Sequence, residues 1–199
     1  NYLASVYIQE NKAGIAYLDV TTGEFAGTQI EGEDVQAQVR SELMRINPSE
    51  TLHSEAQVLG NSLPGTHTPV PNWYYEPGRA EELMKSVFGV SSLDGYGLHD
   101  HGLTVQAAGA LLKYLQETRR DALKALSGFT TYSLADFMVL DAETRRNLEL
   151  TETLRENKVE GSLLSVLDNT RTPMGKRLLR QWVNKPLLNL QAINSRLDM

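Results

Sequence analysis

The sequence predicts an α/β fold with a mixed sheet over residues 1–130, followed by a mainly α-helical part over residues 131–199. Three observations carry that reading. Alternating apolar residues with turn signals recur three times before residue 31, which is the pattern of an antiparallel meander. A stripe at helical spacing then precedes another strand-like run, and strands joined through a crossover helix imply a mixed sheet. Beyond Thr130 the punctuation changes to helix caps and helix stops.

Taken in order, Tyr2 to Ile8 reads as the first strand. Ile15, Tyr17 and Asp19 alternate with Ala16, Leu18 and Val20 in a second, Thr21-Thr22-Gly23 is a turn, and Glu24 to Ile30 is a third strand. Val35, Val39, Leu43 and Ile46 recur at helical spacing, and Asn47-Pro48 ends that helix before the strand-like Thr51-Leu52-His53. Pro64, Gly65, Pro69 and Pro71 lie among Ser, Thr and Asn between Gly60 and Asn72, a composition that predicts a mobile, weakly ordered surface loop. Arg79 to Phe88 reads as a short helix, and Leu103, Ala107, Leu111, Leu112 and Leu115 form the stripe of a longer one.

In the second part, Phe137 to Leu140 reads as a short buried strand. Asp141 is suited to cap a helix in which Glu143 complements the dipole, Leu148 packs inward, and Arg145 and Arg146 stay near the surface. Thr172 as N-cap and Pro173 at the first helical position start a further helix, whose Leu178, Leu179 and Trp182 face inward and which stops at Asn184-Lys185-Pro186. The chain opens without Met on a strand and stops within a helical pattern, so it reads as a fragment.

Composition narrows the function classes. The 199 residues, 41% hydrophobic, suffice for one domain with a core plus part of another. There is no cysteine, which excludes disulfides and thiolate chemistry and suits a reducing cytoplasm. No apolar run approaches the roughly 20 residues of a membrane span, so no membrane partner is expected. The net charge of −6 is uneven: residues 1–130 hold 9 Lys+Arg against 16 Asp+Glu, and residues 131–199 hold 10 against 9. Nonspecific DNA affinity comes from cations that neutralise phosphates, so any DNA contact is expected outside the first part.

Several motifs raise chemistry that their surroundings do not support. His99-Asp100-His101 offers alternate ligands in a Gly-flanked loop but lacks a third and fourth. Gly175-Lys176 has Thr170 five residues before Gly175, where a Walker A phosphate cradle needs Gly. Gly95 and Gly97, within Leu93 to Leu98, suit a turn packed under the helix that follows.

The block Leu140-Asp141-Ala142-Glu143-Thr144-Arg145-Arg146-Asn147-Leu148-Glu149-Leu150 resembles the start of the core domain of the MutS family of DNA mismatch-recognition ATPases. Ser162 to Asp168, Thr172 to Trp182 and Arg196-Leu197-Asp198 are similar to the continuation of that core. Upstream, Leu18-Asp19 with Thr22 to Phe25, then Phe88-Gly89-Val90, Leu93 to Leu98 and Ala107 to Leu112 resemble the MutS connector domain. The resemblance covers nearly the whole chain in the right order.

That resemblance implies a ribonuclease H-like connector with a mixed sheet, followed by a mainly α-helical fragment of the core domain. Nucleases of that fold gather carboxylates around Mg²⁺ and place a key Asp within the first strand, where this chain carries Ala4, Ser5, Val6 and Tyr7. Asp19 lies on the second strand, with Glu24 and Glu42 at no convincing spacing around it, and is expected to be structural. The family combines a mismatch reader, connector, core and ATPase, acts as a dimer on DNA, and recruits MutL when ATP is bound. Neither the reader's Phe-x-Glu signature nor the ATPase motifs occur here. The resemblance therefore implies a non-enzymatic linking fragment with no cofactor of its own, ATP and Mg²⁺ belonging to the full-length protein, in a nucleoid-associated protein of the bacterial cytoplasm. Its expected partners are MutL, the other MutS domains, a second MutS subunit and, through the full-length protein, mismatched duplex DNA. An active nuclease or a direct DNA-binding module is the alternative.

Two sets of residues stand out. Glu81, Glu82 and Lys85 are candidates for a MutL docking surface, because adjacent charges on a short amphipathic helix are costly to bury together. Arg145, Arg146, Lys176, Arg177 and Arg180 form a candidate basic patch facing another domain, solvent or DNA.

Overall fold

A computed structural model describes residues 2–59, 63–138, 140 and 142–198, which divide into two compact units, Asn1–Ser133 and Leu134–Met199. In the first, β1 (Leu3–Gln9), β2 (Lys12–Asp19) and β3 (Glu24–Glu31) form the expected antiparallel meander. Helix α1 (Val35–Ile46) follows, capped by Asp34, whose side chain accepts from the Ala37 amide at 3.1 Å. It ends at Asn47, which takes the left-handed conformation that Asn tolerates better than most residues. Strand β4 (Glu50–Ser54) then pairs parallel with β1.

Part of the Pro-rich stretch is a strand where its composition predicts loop. Thr66–Val70 forms β5, parallel to β4 at the sheet edge, where Pro69 is tolerated because an edge strand has one side free of ladder bonds. Gly60, Asn61 and Ser62 of that stretch lie outside the described residues. A 3₁₀ turn at Asn72–Tyr75 leads into α2 (Pro77–Phe88), and α3 (Gly102–Thr118) follows. Thr130–Thr131, a strand the sequence does not announce, is β6 and pairs parallel with β3. The sheet order is β5-β4-β1-β2-β3-β6, the mixed α/β arrangement predicted for this part.

Register separates two apolar faces. Ala4, Val6, Ile15, Tyr17 and Ile30 share the face met by Val35, Val39, Leu43 and Ile46 of α1. Ser5, Ala16, Leu18 and Phe25 point the other way, into a cluster with Met84 of α2 and Ala107, Leu111 and Leu112 of α3. Two glycines let α3 lie against the strands. A Cβ on Gly14 would sit 2.0 Å from the Leu103 backbone, and one on Gly27 would sit 2.7 Å from Phe129 and Thr104 side chains.

The second unit contains α4 (Ala142–Asn147), α5 (Leu163–Leu167), α6 (Pro173–Asn184) and α7 (Leu190–Leu197). The described residues of Phe137 to Leu140 form no strand. A 3₁₀ turn occupies Leu134–Asp136, and only Phe137 makes a bridge, antiparallel to Leu187, reinforced by Met138 N–H donating to Pro186 O and Leu188 N–H to Asp136 O. The expected cap Asp141 and the apolar Val139 lie outside the described residues. Leu148 is 54% exposed rather than inward, because the inward place belongs to Leu150, whose backbone is held by the Leu164 amide. Thr172 caps α6 as predicted, accepting from the Gly175 amide at 3.0 Å. No residue of α6 is buried, however: Leu178 is 45% exposed, and Leu179 and Trp182 are half-buried. The apolar stripe is present but only partly covered, with Arg196 Cζ of α7 4.9 Å from the Trp182 ring centroid.

Candidate functional site

Helix α2 places the residues singled out for docking. Pro77 fixes the first turn, and Gly89 ends the helix with φ 66°, a conformation that glycine adopts without strain. Ala80 and Met84 are buried on one side, where α2 crosses α3 so closely that a Cβ on Gly109 would sit 2.4 Å from Ala80 Cβ. This close crossing accounts for the glycine at position 109. Glu81 and Glu82 are exposed and Lys85 is half-buried, with Lys85 Nζ 2.5 Å from Glu81 Oε1 one helical turn away.

Beside them, an open groove of about 240 Å³ runs between α2 and α3, floored by Ala80 and Gly109 and edged by Trp73, Glu82, Lys113 and Gln116. Trp73 comes from the 3₁₀ turn and is partly exposed. Arg79 Cζ and Lys113 Nζ lie 5.5 and 5.4 Å from its ring centroid, close enough for cation–π attraction. Both cations are also paired, Arg79 with Glu76 at 2.7 Å and Lys113 with Glu117 at 2.9 Å. The Tyr74 hydroxyl donates to Glu117, and burial together with that bond pushes the phenol up to about 12. The same bond, with Lys113, holds the Glu117 carboxyl below its ordinary value. The rim is therefore aromatic with balanced charge, which suits a protein side chain better than a phosphate backbone. Sequence reasoning missed the meeting of Trp73 and Arg79 with Lys113, which lies far from them in the chain. The small residue pair Ala80 and Gly109 was the available signal.

The buried Asp19 and Glu42 and the half-buried Glu24 of the sheet unit are committed to structure. Asp19 Oδ1 accepts from Thr21 N–H at 2.9 Å and from Thr21 Oγ1 at 2.5 Å; burial alone would raise its pKa, but these bonds hold it below the ordinary value. Glu24 accepts from the Tyr2 hydroxyl at 2.9 Å and the Tyr17 hydroxyl at 3.3 Å. Glu42 is bound by Arg45 and by the Tyr132 hydroxyl. Among the described residues no three His, Asp or Glu side chains gather as a metal site. His99 Nδ1 instead lies 3.5 Å from Asp94.

The five basic residues of the second unit do not act alike. Arg145 is partly buried rather than superficial: its guanidinium donates to Leu140 O at 2.9 Å and Asn184 O at 3.0 Å, tying the start of the unit to the end of α6. Lys176 Nζ lies 3.5 Å from Asp168, and Arg180 donates to Glu152 at 3.3 Å. Arg146 and Arg177 are exposed.

Comparison with known proteins divides the chain in the same region. The family model described as MutS domain II matches residues 1–127, and the one described as MutS domain III matches residues 143–199. The whole chain is 44% identical to 23% of a DNA mismatch repair protein MutS from Trichodesmium erythraeum. It is 41% identical to 24% of the protein of that name from Syntrophomonas wolfei and 38% identical to 22% of that from Lachnoclostridium phytofermentans. The chain thus spans about a quarter of the length of the curated relatives it matches.

Proposed function

Because the chain belongs to the MutS family, we propose that it is a non-catalytic linking part of a mismatch-repair protein, whose sheet unit also offers α2 as a docking surface for MutL. Passing ATP-dependent movement between the mismatch-binding part and the ATPase would be its role within the full-length protein. The observation that carries the docking part of this reading is the outer face of α2, where Glu81, Glu82 and Lys85 stand beside the Trp73 groove. An exposed aromatic next to a small-residue floor can take a partner side chain, and the surrounding charges select orientation. The acidic balance of residues 1–130 argues against DNA as the ligand of this face.

Reversing both carboxylates, Glu81→Lys with Glu82→Lys, tests the reading in full-length protein. Both side chains are exposed, so the fold should survive. Capture of MutL in the presence of ATP and mismatched duplex is expected to fall about tenfold or more, with mismatch binding unchanged. Undiminished capture would remove α2 as the docking helix.

A further inference from the structure

The segment that leaves the sheet unit has little backbone to hold it. β6 is two residues long and pairs with β3 alone, Thr130 opposite Ala26 and Thr131 opposite Gly27. One more ladder-like bond follows, from the Tyr132 amide to Gly27 O at 3.1 Å. Short edge pairings of this kind open locally at small cost unless side chains secure them.

Side chains converge on this segment from elements far away in sequence. Thr131 Oγ1 donates to Tyr96 O at 2.7 Å. The Tyr132 hydroxyl donates to Glu42 Oε1 across 90 positions of sequence. Arg45, one turn along α1 from Glu42, donates through Nε to Glu42 Oε2 at 2.7 Å and through Nη2 to the Tyr132 oxygen at 3.3 Å. Its guanidinium carbon also lies 5.6 Å from the Tyr132 ring centroid, and the ring of Tyr17 lies 6.1 Å away on the sheet side. Glu42 and Arg45 are both nearly inaccessible to solvent.

The composition of this cluster is informative. Glu42 occupies the buried stripe of α1 with Val39, Leu43 and Ile46, where an apolar residue would avoid the desolvation cost of an ion pair. A carboxylate, a planar guanidinium and a phenol contribute what a methyl cannot, because they satisfy one another in a single arrangement. Apolar packing at Tyr132 would fill the same space without specifying how the strand lies against α1.

We infer that Glu42, Arg45 and Tyr132 form an anchor that clamps the exit strand of the sheet unit to α1, so that the chain leaves this unit from a fixed point and not from a frayed edge. The clamp itself follows from the contacts. Its use in passing movement onward rests on the linking role proposed above, since a displacement is transmitted only if the point of exit does not slide.

Amide hydrogen exchange on the 199-residue chain separates the clamp from that role, because it requires neither MutL nor nucleotide. Tyr132→Phe removes one hydroxyl and keeps the ring and the Glu42–Arg45 pair. Exchange at the Tyr132 amide, which donates to Gly27 O, is expected to accelerate about tenfold, the loss of one charge-assisted hydrogen bond, while the α3 amides of Leu111 and Leu112 keep their rates. Arg45→Met should produce the same local pattern with a larger factor. If Arg45→Met fails to fold, Tyr132→Phe alone decides. A rate at the Tyr132 amide within twofold of the parent, or equal acceleration at Leu111 and Leu112, would overturn the anchor. A local effect in exchange combined with unaltered ATP-dependent MutL capture by a full-length Tyr132→Phe protein would keep the clamp and contradict its role in transmission.

Discussion

The two units are held together by different forces. In Asn1–Ser133 both faces of the sheet are covered, so Leu18, Leu43, Leu52, Met84, Leu111 and Leu112 are removed from water. In Leu134–Met199 the buried apolar residues among those described are Leu140, Leu150 and Leu164. Eleven of the thirteen exposed large hydrophobics in the described chain lie in this unit, including Val166 at 73% and Met174 at 83%. A fully buried Leu contributes about 1.5–3 kcal/mol. The first unit therefore rests on apolar burial, whereas the second depends on backbone pairing at residues 136–138 with 186–188, on helix caps and on Arg145. Amphipathic sequence alone does not bury a helix; it has to be met by a covering surface.

Truncating one leucine in each unit should separate the two cases most clearly. Leu111→Ala creates a cavity in a closed core and is expected to cost about 3 kcal/mol. Leu178→Ala, at the exposed part of the α6 stripe, should change stability by no more than about 0.5 kcal/mol. Denaturant titration followed separately in each unit measures both, and equal losses would break the comparison.

Arg145→Met is the next largest effect. Leu140 O and Asn184 O lose a charged donor together, so the second unit should lose about 2 kcal/mol while the first unit's transition stays in place. Loss confined to DNA affinity, with stability intact, would return Arg145 to the surface patch in which its sequence context places it.

The smallest effect is a pH dependence in the first unit. The folded carboxyl of Asp19 titrates below its ordinary value, so its contribution is present above the unfolded pKa of about 3.9 and is lost as pH falls through the folded value. Acid titration of unfolding should show the sheet unit weakening below about pH 4, and Asp19→Asn should flatten that slope. An unchanged slope in the variant would assign acid sensitivity to other carboxylates.

How much of this was legible in the sequence follows the same division of forces. The meander, α1, β4, α2 and α3 were readable because each covered face repeats with its element's period, as Val35, Val39, Leu43 and Ile46 do. The Thr172 cap was readable because capping is local. β5 was not: its Pro and Thr residues read as loop, and its pairing with β4 is a long-range fact. Phe137 to Leu140 and Leu148 failed for the opposite reason, since apolar residues were assumed to find cover. At the candidate site, Glu81, Glu82 and Lys85 were legible as charges on a short amphipathic helix that are costly to bury together. The Trp73 groove and the Glu42–Arg45–Tyr132 cluster arise only when distant segments meet, although a glutamate inside the apolar stripe of α1 was a sign that a partner had to come from elsewhere.

The most direct test of the proposed linking and docking role is calorimetric titration of the 199-residue chain against the N-terminal ATPase domain of MutL, with a short mismatched duplex as a parallel ligand. Binding to MutL, lost in the Glu81→Lys, Glu82→Lys variant, with no binding to duplex, is the expected result. Tight, salt-sensitive duplex binding without MutL binding would contradict the account, because it would make the acidic sheet unit or its helical neighbour a DNA-binding module.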